Sequence, residues 1–139
     1  MAAWRRKALE MFPDRLPMIR EPGGVYTLLA NLRDALEHTY CLDAPDWGFI
    51  ERVYQFAEWC FGPRQNQYLR NAVAVSFYEH LPAFGPARPD LARRFTPAMW
   101  TELRPLLKQM LPVQDYDAFA AEIHALGRDR MTQTSLRGA

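Results

Sequence analysis

Asp46-Trp-Gly-Phe-Ile-Glu-Arg-Val-Tyr-Gln-Phe-Ala-Glu-Trp-Cys-Phe61 is the stretch whose reading decides the fold. Phe49, Ile50, Val53, Tyr54, Phe56, Ala57, Trp59, Cys60 and Phe61 recur at spacings of three and four, the period of a helix, with no alternation of the strand kind. Glu51, Gln55 and Glu58 keep only a narrow polar edge. An apolar arc this wide marks a helix covered on several sides, so the segment reads as the central helix of an all-α domain. Asp46 is a good N-cap, because its carboxylate can accept from the free amides of the first turn. Gly62-Pro63 ends the helix, with glycine expected in the left-handed position after it.

Working outward, Val25, Leu28, Leu29, Leu32, Ala35 and Leu36 form one buried helical stripe that ends near Tyr40. Downstream, Leu69, Ala72, Val73, Phe77 and Leu81 repeat the period over 64–81, and Pro82 closes that helix. Trp4 to Phe12 reads as a short helix stopped by Pro13, followed by a proline-marked connector through Pro17, Pro22 and Gly23-Gly24. Short loops between successive helices favour antiparallel packing. Residues 82–95 form the one long irregular stretch, with at most a turn of helix from Pro89, and serve as a lid or as a connector. Thr96-Pro97 starts a further helix with a cap followed by proline, and Pro105 inside it implies a kink or a break. A last helix runs from an Asp115 cap to Leu126, with Gly127 after its end.

The expected architecture is therefore all-α, a compact bundle of about five to six antiparallel helices. Residues 1–127 read as a single helical domain and 128–139 as a flexible C-terminal tail. With 139 residues, 49% hydrophobic and 24% charged, the chain has the balance of one globular domain. Its net charge of +1 removes the footprint of a general nucleic-acid binder. No run reaches the roughly 18 apolar residues of a membrane span, and the charged start lacks a signal-like apolar core, so a cytoplasmic protein is expected.

Chemistry finds little to hold. His38, His80 and His124 share no helical pairing with other metal-ligating residues beyond Asp34 with His38, so neither a metal nor a cofactor is expected. Nothing places a histidine beside Cys41 or Cys60, and neither serine, Ser76 or Ser135, lies in a nucleophile motif. Along a helix, Cys60 stands roughly 20 Å from the loop carrying Cys41, against about 6 Å for a disulfide, so both read as free thiols. An enzyme is not expected.

Charge and aromatic content carry more. From Asp34 to Glu58 six acids, Asp34, Glu37, Asp43, Asp46, Glu51 and Glu58, face one base, Arg52, a net of −5. Residues 1–20 carry a net of +3, and 64–108 a net of +4. Such segregation either pairs internally as weak surface salt bridges or offers an acidic face to a basic partner. Trp47 and Tyr54 on the same helix are the aromatic anchors such a face would use.

In the third helix, Arg70-Asn-Ala-Val73 followed by Phe77, Glu79 and Leu81 resembles a segment of small bacterial all-α proteins that look like immunity proteins of polymorphic toxin systems. In that segment Arg/Gln-Asn-Ala-Val precedes Phe-Leu-Glu-x-Leu; Tyr78 stands here where leucine is usual. The resemblance covers the third helix alone. It implies antiparallel helices and a binding role, and carries no catalytic residue. The expectation is a protein-binding module: an immunity protein that neutralises a cognate toxin through the acidic region, the toxin presenting a basic surface. The alternatives are a ligand-binding or enzymatic bundle with a pocket under residues 82–95, and an adaptor subunit.

Overall fold

The computed structural model of the chain describes residues 1–20 and 23–138, with side chains as far as Met131. Among them are eight α-helices and no strand: α1 (Ala3–Met11), α2 (Leu16–Arg20), α3 (Val25–Tyr40), α4 (Trp47–Cys60), α5 (Gln67–Val73), α6 (Arg88–Arg94), α7 (Pro97–Met110) and α8 (Val113–Gly138). The all-α class stands, and the count of five to six helices is too low. The extra helices are short. α2, with Pro17 in its first turn where no amide is missed, and α6 each span too few residues for a period to show. Chain contacts gather in two compact units, Met1–Tyr78 and a second beginning at Glu79.

In the first unit α3, α4 and α5 all touch one another, and α1 packs on α4. Asp46 caps α4 as its sequence suggests, its Oδ1 accepting from the Phe49 amide at 3.1 Å. The wide apolar arc of α4 is accounted for: Phe49, Ile50, Val53, Tyr54, Phe56, Ala57 and Cys60 are all buried. Phe12 closes one side, edge-on to Phe49 and Phe56 at 6.0 and 5.9 Å. Removing such a fully buried ring costs about 3–5 kcal/mol. Arg52 clamps the same corner, donating to the Met11 carbonyl at 3.1 Å and to Asp14 at 3.3 Å. Burial works against the Asp14 charge, but the hydrogen bonds from its own backbone and from Arg52, with the nearby positive charges, hold its carboxyl below the ordinary range.

The end of α4 departs from the expected geometry. No described residue has a left-handed backbone. The chain turns in right-handed space instead, with the Phe61 and Gly62 amides donating to the Ala57 and Trp59 carbonyls. Gly62 is suited to the turn by closeness: a Cβ there would lie 3.2 Å from the Trp59 carbonyl oxygen. Arg70 then covers the turn, donating from Nε to the Phe61 carbonyl at 3.1 Å with its guanidinium over the Phe61 ring.

The third periodic segment is not one α-helix. It starts at Gln67 on an Asn66 cap, and from Ala74 to Tyr78 widens into a π-helix. The widening keeps Phe77 and Tyr78 buried while Arg33 of α3 donates from Nε to the Ser76 carbonyl at 3.1 Å. A π turn moves later residues by one position, too little to disturb the apolar pattern in the sequence.

In the second unit, residues 81–95 are structured throughout. Two 3-10 turns, Leu81–Ala83 and Gly85–Ala87, lead directly into α6, and each of the three elements carries a proline in its first turn. Leu81, Pro82, Ala87, Leu91 and Ala92 are buried, so the segment is packed and is not the irregular stretch its prolines suggest. Arg88 fastens it, donating to the Pro82 carbonyl at 2.7 Å and to Asp115 at 3.0 Å. Thr96 caps α7 through the Met99 amide, and α7 continues unbroken through the exposed Pro105.

α8 corrects two expectations. It begins at Val113, so Asp115 lies in its first turn and serves Arg88; and it continues through Gly127 to Gly138, where an end at Leu126 had been expected. A helix-interior glycine costs roughly 1 kcal/mol against alanine, a local preference that the rest of the helix outweighs. Phe119 anchors α8, edge-on to Phe95 at 5.1 Å and to Trp100 at 5.9 Å.

Candidate functional site

The turn from α3 to α4 gathers most of the residues named for the acidic face. Tyr40 ends α3, Leu42 and Asp43 lie in the turn, Asp46 caps α4, and Trp47 is its first residue. Trp47 remains 60% exposed and Leu42 44% exposed, large fractions for apolar side chains set so close together. The Trp47 ring stands edge-on to Tyr40 at 6.2 Å, which gives the indole a fixed seat. Glu51 sits one helical turn further on and is exposed.

Tyr54 does not belong to this surface. It is 1% exposed, and its hydroxyl forms a 2.8 Å hydrogen bond with that of Tyr40. Its ring faces inward, edge-on to Phe77 at 6.0 Å. A tyrosine at the border of a wide apolar arc can fall on either side of it, and here packing against the π-helix draws it in. Tyr54 supports the surface from beneath, through Tyr40.

The acids divide into three groups. Asp34 and Glu37 on α3 share Arg33, whose guanidinium lies 3.7 Å from one and 3.2 Å from the other. That single guanidinium offsets part of their charge within the element. Glu58 is exposed but stands eleven residues beyond Trp47, about 16 Å along the helix, and the structure does not bring it to the turn. Asp43, Asp46 and Glu51 remain around Trp47. Arg52, the base of this stretch, is engaged with Asp14 and Met11.

Leu42 and Tyr40 were not singled out from the sequence. A leucine inside a turn otherwise made of Asp, Ala and Pro is the signal that marks it, because turns are ordinarily polar. As for catalytic chemistry, Cys41 is exposed and Cys60 buried, both are free, and burial pushes the Cys60 thiol up to about 12. His38, His80 and His124 are all exposed. Among the described residues no three metal-ligating side chains come together, and no helix is long and apolar enough to cross a membrane.

Residues 6–113 match the model of a family described as a domain of unknown function, DUF7674. The chain belongs to the DUF7674 family. No curated protein and no solved structure matches it. In this DUF7674 chain the matched residues take in the whole α3–α4 turn, with Leu42, Asp43, Asp46 and Trp47, and end where α8 begins.

Proposed function

We propose that this DUF7674 protein is a protein-binding module whose contact centre is the α3–α4 turn. The observation that carries the reading is an exposed Trp47 and Leu42 set among Asp43, Asp46 and Glu51. A tryptophan held by a neighbouring ring and bordered by polar groups has the make-up of an interface hot spot, since it adds large buried area at little entropic cost. The carboxylates select a partner with a basic surface and hasten its approach. In its sharpest form the partner is a bacterial toxin, which this protein neutralises as an immunity protein by occupying it; the resemblance of Arg70–Val73 and Phe77–Leu81 to such proteins supports that form.

Placing a photo-crosslinking amino acid at Leu42 in the native host tests the reading. One basic protein should be captured, and Trp47→Ala should weaken its binding by tenfold or more. A captured partner whose affinity is unchanged in Trp47→Ala, or no capture at all, overturns the proposed surface. Co-expression with the captured protein then decides the immunity form: rescue of growth supports it, and a harmless partner rejects it while leaving the binding module intact.

A further inference from the structure

In the first unit the chain covers its own aromatic rings with arginine. The Arg5 guanidinium lies 4.6 Å from the centre of the Trp4 ring, Arg15 4.6 Å from that of Phe49, Arg52 5.6 Å from that of Phe12 and Arg70 4.5 Å from that of Phe61. The electron-rich face of a ring attracts the cation, and an indole offers the best such face. No guanidinium of the described residues lies over Trp47.

That indole is suited to one. Trp47 is 60% exposed, and Tyr40 meets it edge-on at 6.2 Å with the two planes 79° apart. A flat ring with both faces covered keeps only its rim in solvent, so an exposure this large means that an indole face is open. Of the three carboxylates around it, Asp46 accepts from the Phe49 amide at 3.1 Å and Glu51 from the Gln55 amide group at 3.5 Å. Asp43, exposed in the turn four residues before Trp47, is the carboxylate left to meet an incoming cation.

We propose, resting on the turn's role as a protein contact, that it takes one arginine side chain of the partner, the guanidinium flat on Trp47 and its fork on the Asp43 carboxylate. Arginine fits this pair of groups better than lysine does. Its planar guanidinium stacks on an aromatic face while its edge donates two parallel hydrogen bonds to a carboxylate, whereas an ammonium is a compact charge that cannot stack.

Titration of the full chain at low salt with a capped tripeptide, arginine between two glycines, tests the proposal through the Trp47 indole N–H resonance. The resonance should shift to saturation with a dissociation constant of roughly 1–10 mM, the range of a single stacked ion pair. The same peptide with citrulline, neutral but alike in shape, should bind about tenfold more weakly or worse, and the lysine peptide about threefold more weakly. Asp43→Asn should weaken the arginine peptide about fivefold, and Trp47→Leu, followed at the Leu42 methyl resonances, should abolish its binding at an unchanged helical content. The proposal is overturned by the absence of a saturable Trp47 shift below about 50 mM peptide, by equal affinity for the citrulline or the lysine peptide, or by an unchanged affinity in Asp43→Asn. A Trp47 resonance that moves with protein concentration alone would place a second copy of the chain on the indole and overturn it as well. Each of these failures leaves the broader role of the turn standing, since capture at Leu42 and its weakening in Trp47→Ala decide that separately.

Discussion

The hydroxyl oxygens of Tyr40 and Tyr54 lie 2.8 Å apart, and this bond joins the exposed turn to the core. Trp47 rests edge-on against Tyr40, Tyr40 bonds Tyr54, and Tyr54 packs on Phe77 of the π-helix. Three residues of one aromatic chain thus have three different degrees of exposure. Their energetic roles should divide in the same way.

Tyr54→Ala empties a buried site and should lower stability by about 3–5 kcal/mol, whereas Trp47→Ala should change it by no more than about 1 kcal/mol. Urea unfolding of both variants checks this. Equal losses would mean that Trp47 is a core residue and not an available anchor.

Replacing Asp43 and Glu51 by Lys should slow association with a basic partner at low salt and leave the unfolding midpoint within about 0.5 kcal/mol of the parent, because exposed charges steer encounter and add little to folding. Added salt should narrow the difference in rate. Asp46 is left in place since loss of its cap alone costs about 1 kcal/mol. Equal on-rates for variant and parent at low salt would move the interface away from the turn.

Much of the first unit was legible in the sequence for a physical reason. The α3 stripe and the Asp46 cap, like the Thr96 cap in the second unit, are local signals of helix period and amide satisfaction, and neighbours did not overrule them. Tyr54 was misread because periodicity gives an arc but not its edge, and the edge depends on what packs opposite. The π-helix at Ala74–Tyr78 escaped because Phe77 and Leu81 fit an ordinary helix equally well. The prolines of 82–95 resembled a loop, yet each stands in the first turn of a short helical element, where proline is welcome. Gly127 reads as a stop on local propensity alone, and the long helix around it prevails. Within the site, Asp43, Asp46 and Trp47 were legible as a cluster near one turn; the sharing of Arg33 by Asp34 and Glu37 was not, since it depends on where a side chain swings.

The two thiols should differ in the native protein. Ellman's reagent should titrate Cys41 and leave Cys60 unreacted until the chain is unfolded, because only the thiolate attacks and burial holds the Cys60 thiol at about 12. The folded value lies above the ordinary 9.0, so the protonated thiol favours the native state fully below pH 9, and that contribution is lost as pH rises towards 12. Cys60→Ala should therefore show a shallower alkaline loss of stability than the parent, the parent's advantage shrinking by about 1 kcal/mol between pH 8 and pH 10. Parallel curves would place Cys60 in contact with water.

Two glycine-to-alanine substitutions should move stability in opposite directions. At Gly127 a Cβ meets nothing within 4 Å and the backbone is already helical, so Gly127→Ala should raise stability by about 0.5–1 kcal/mol through the smaller entropy of the unfolded chain. At Gly62 the same Cβ would lie 3.2 Å from the Trp59 carbonyl oxygen, a backbone atom that cannot swing aside. The turn must open slightly, loosening the Gly62 amide bond to Trp59 and the Arg70 bond to Phe61 that depend on it. Gly62→Ala should consequently lower stability by about 1 kcal/mol even though its backbone needs no left-handed geometry. Thermal unfolding of the two variants side by side decides the matter: a stabilised Gly62→Ala would show that the turn accommodates a Cβ, and a destabilised Gly127→Ala would show that α8 packs more tightly at Gly127 than the open space around it implies.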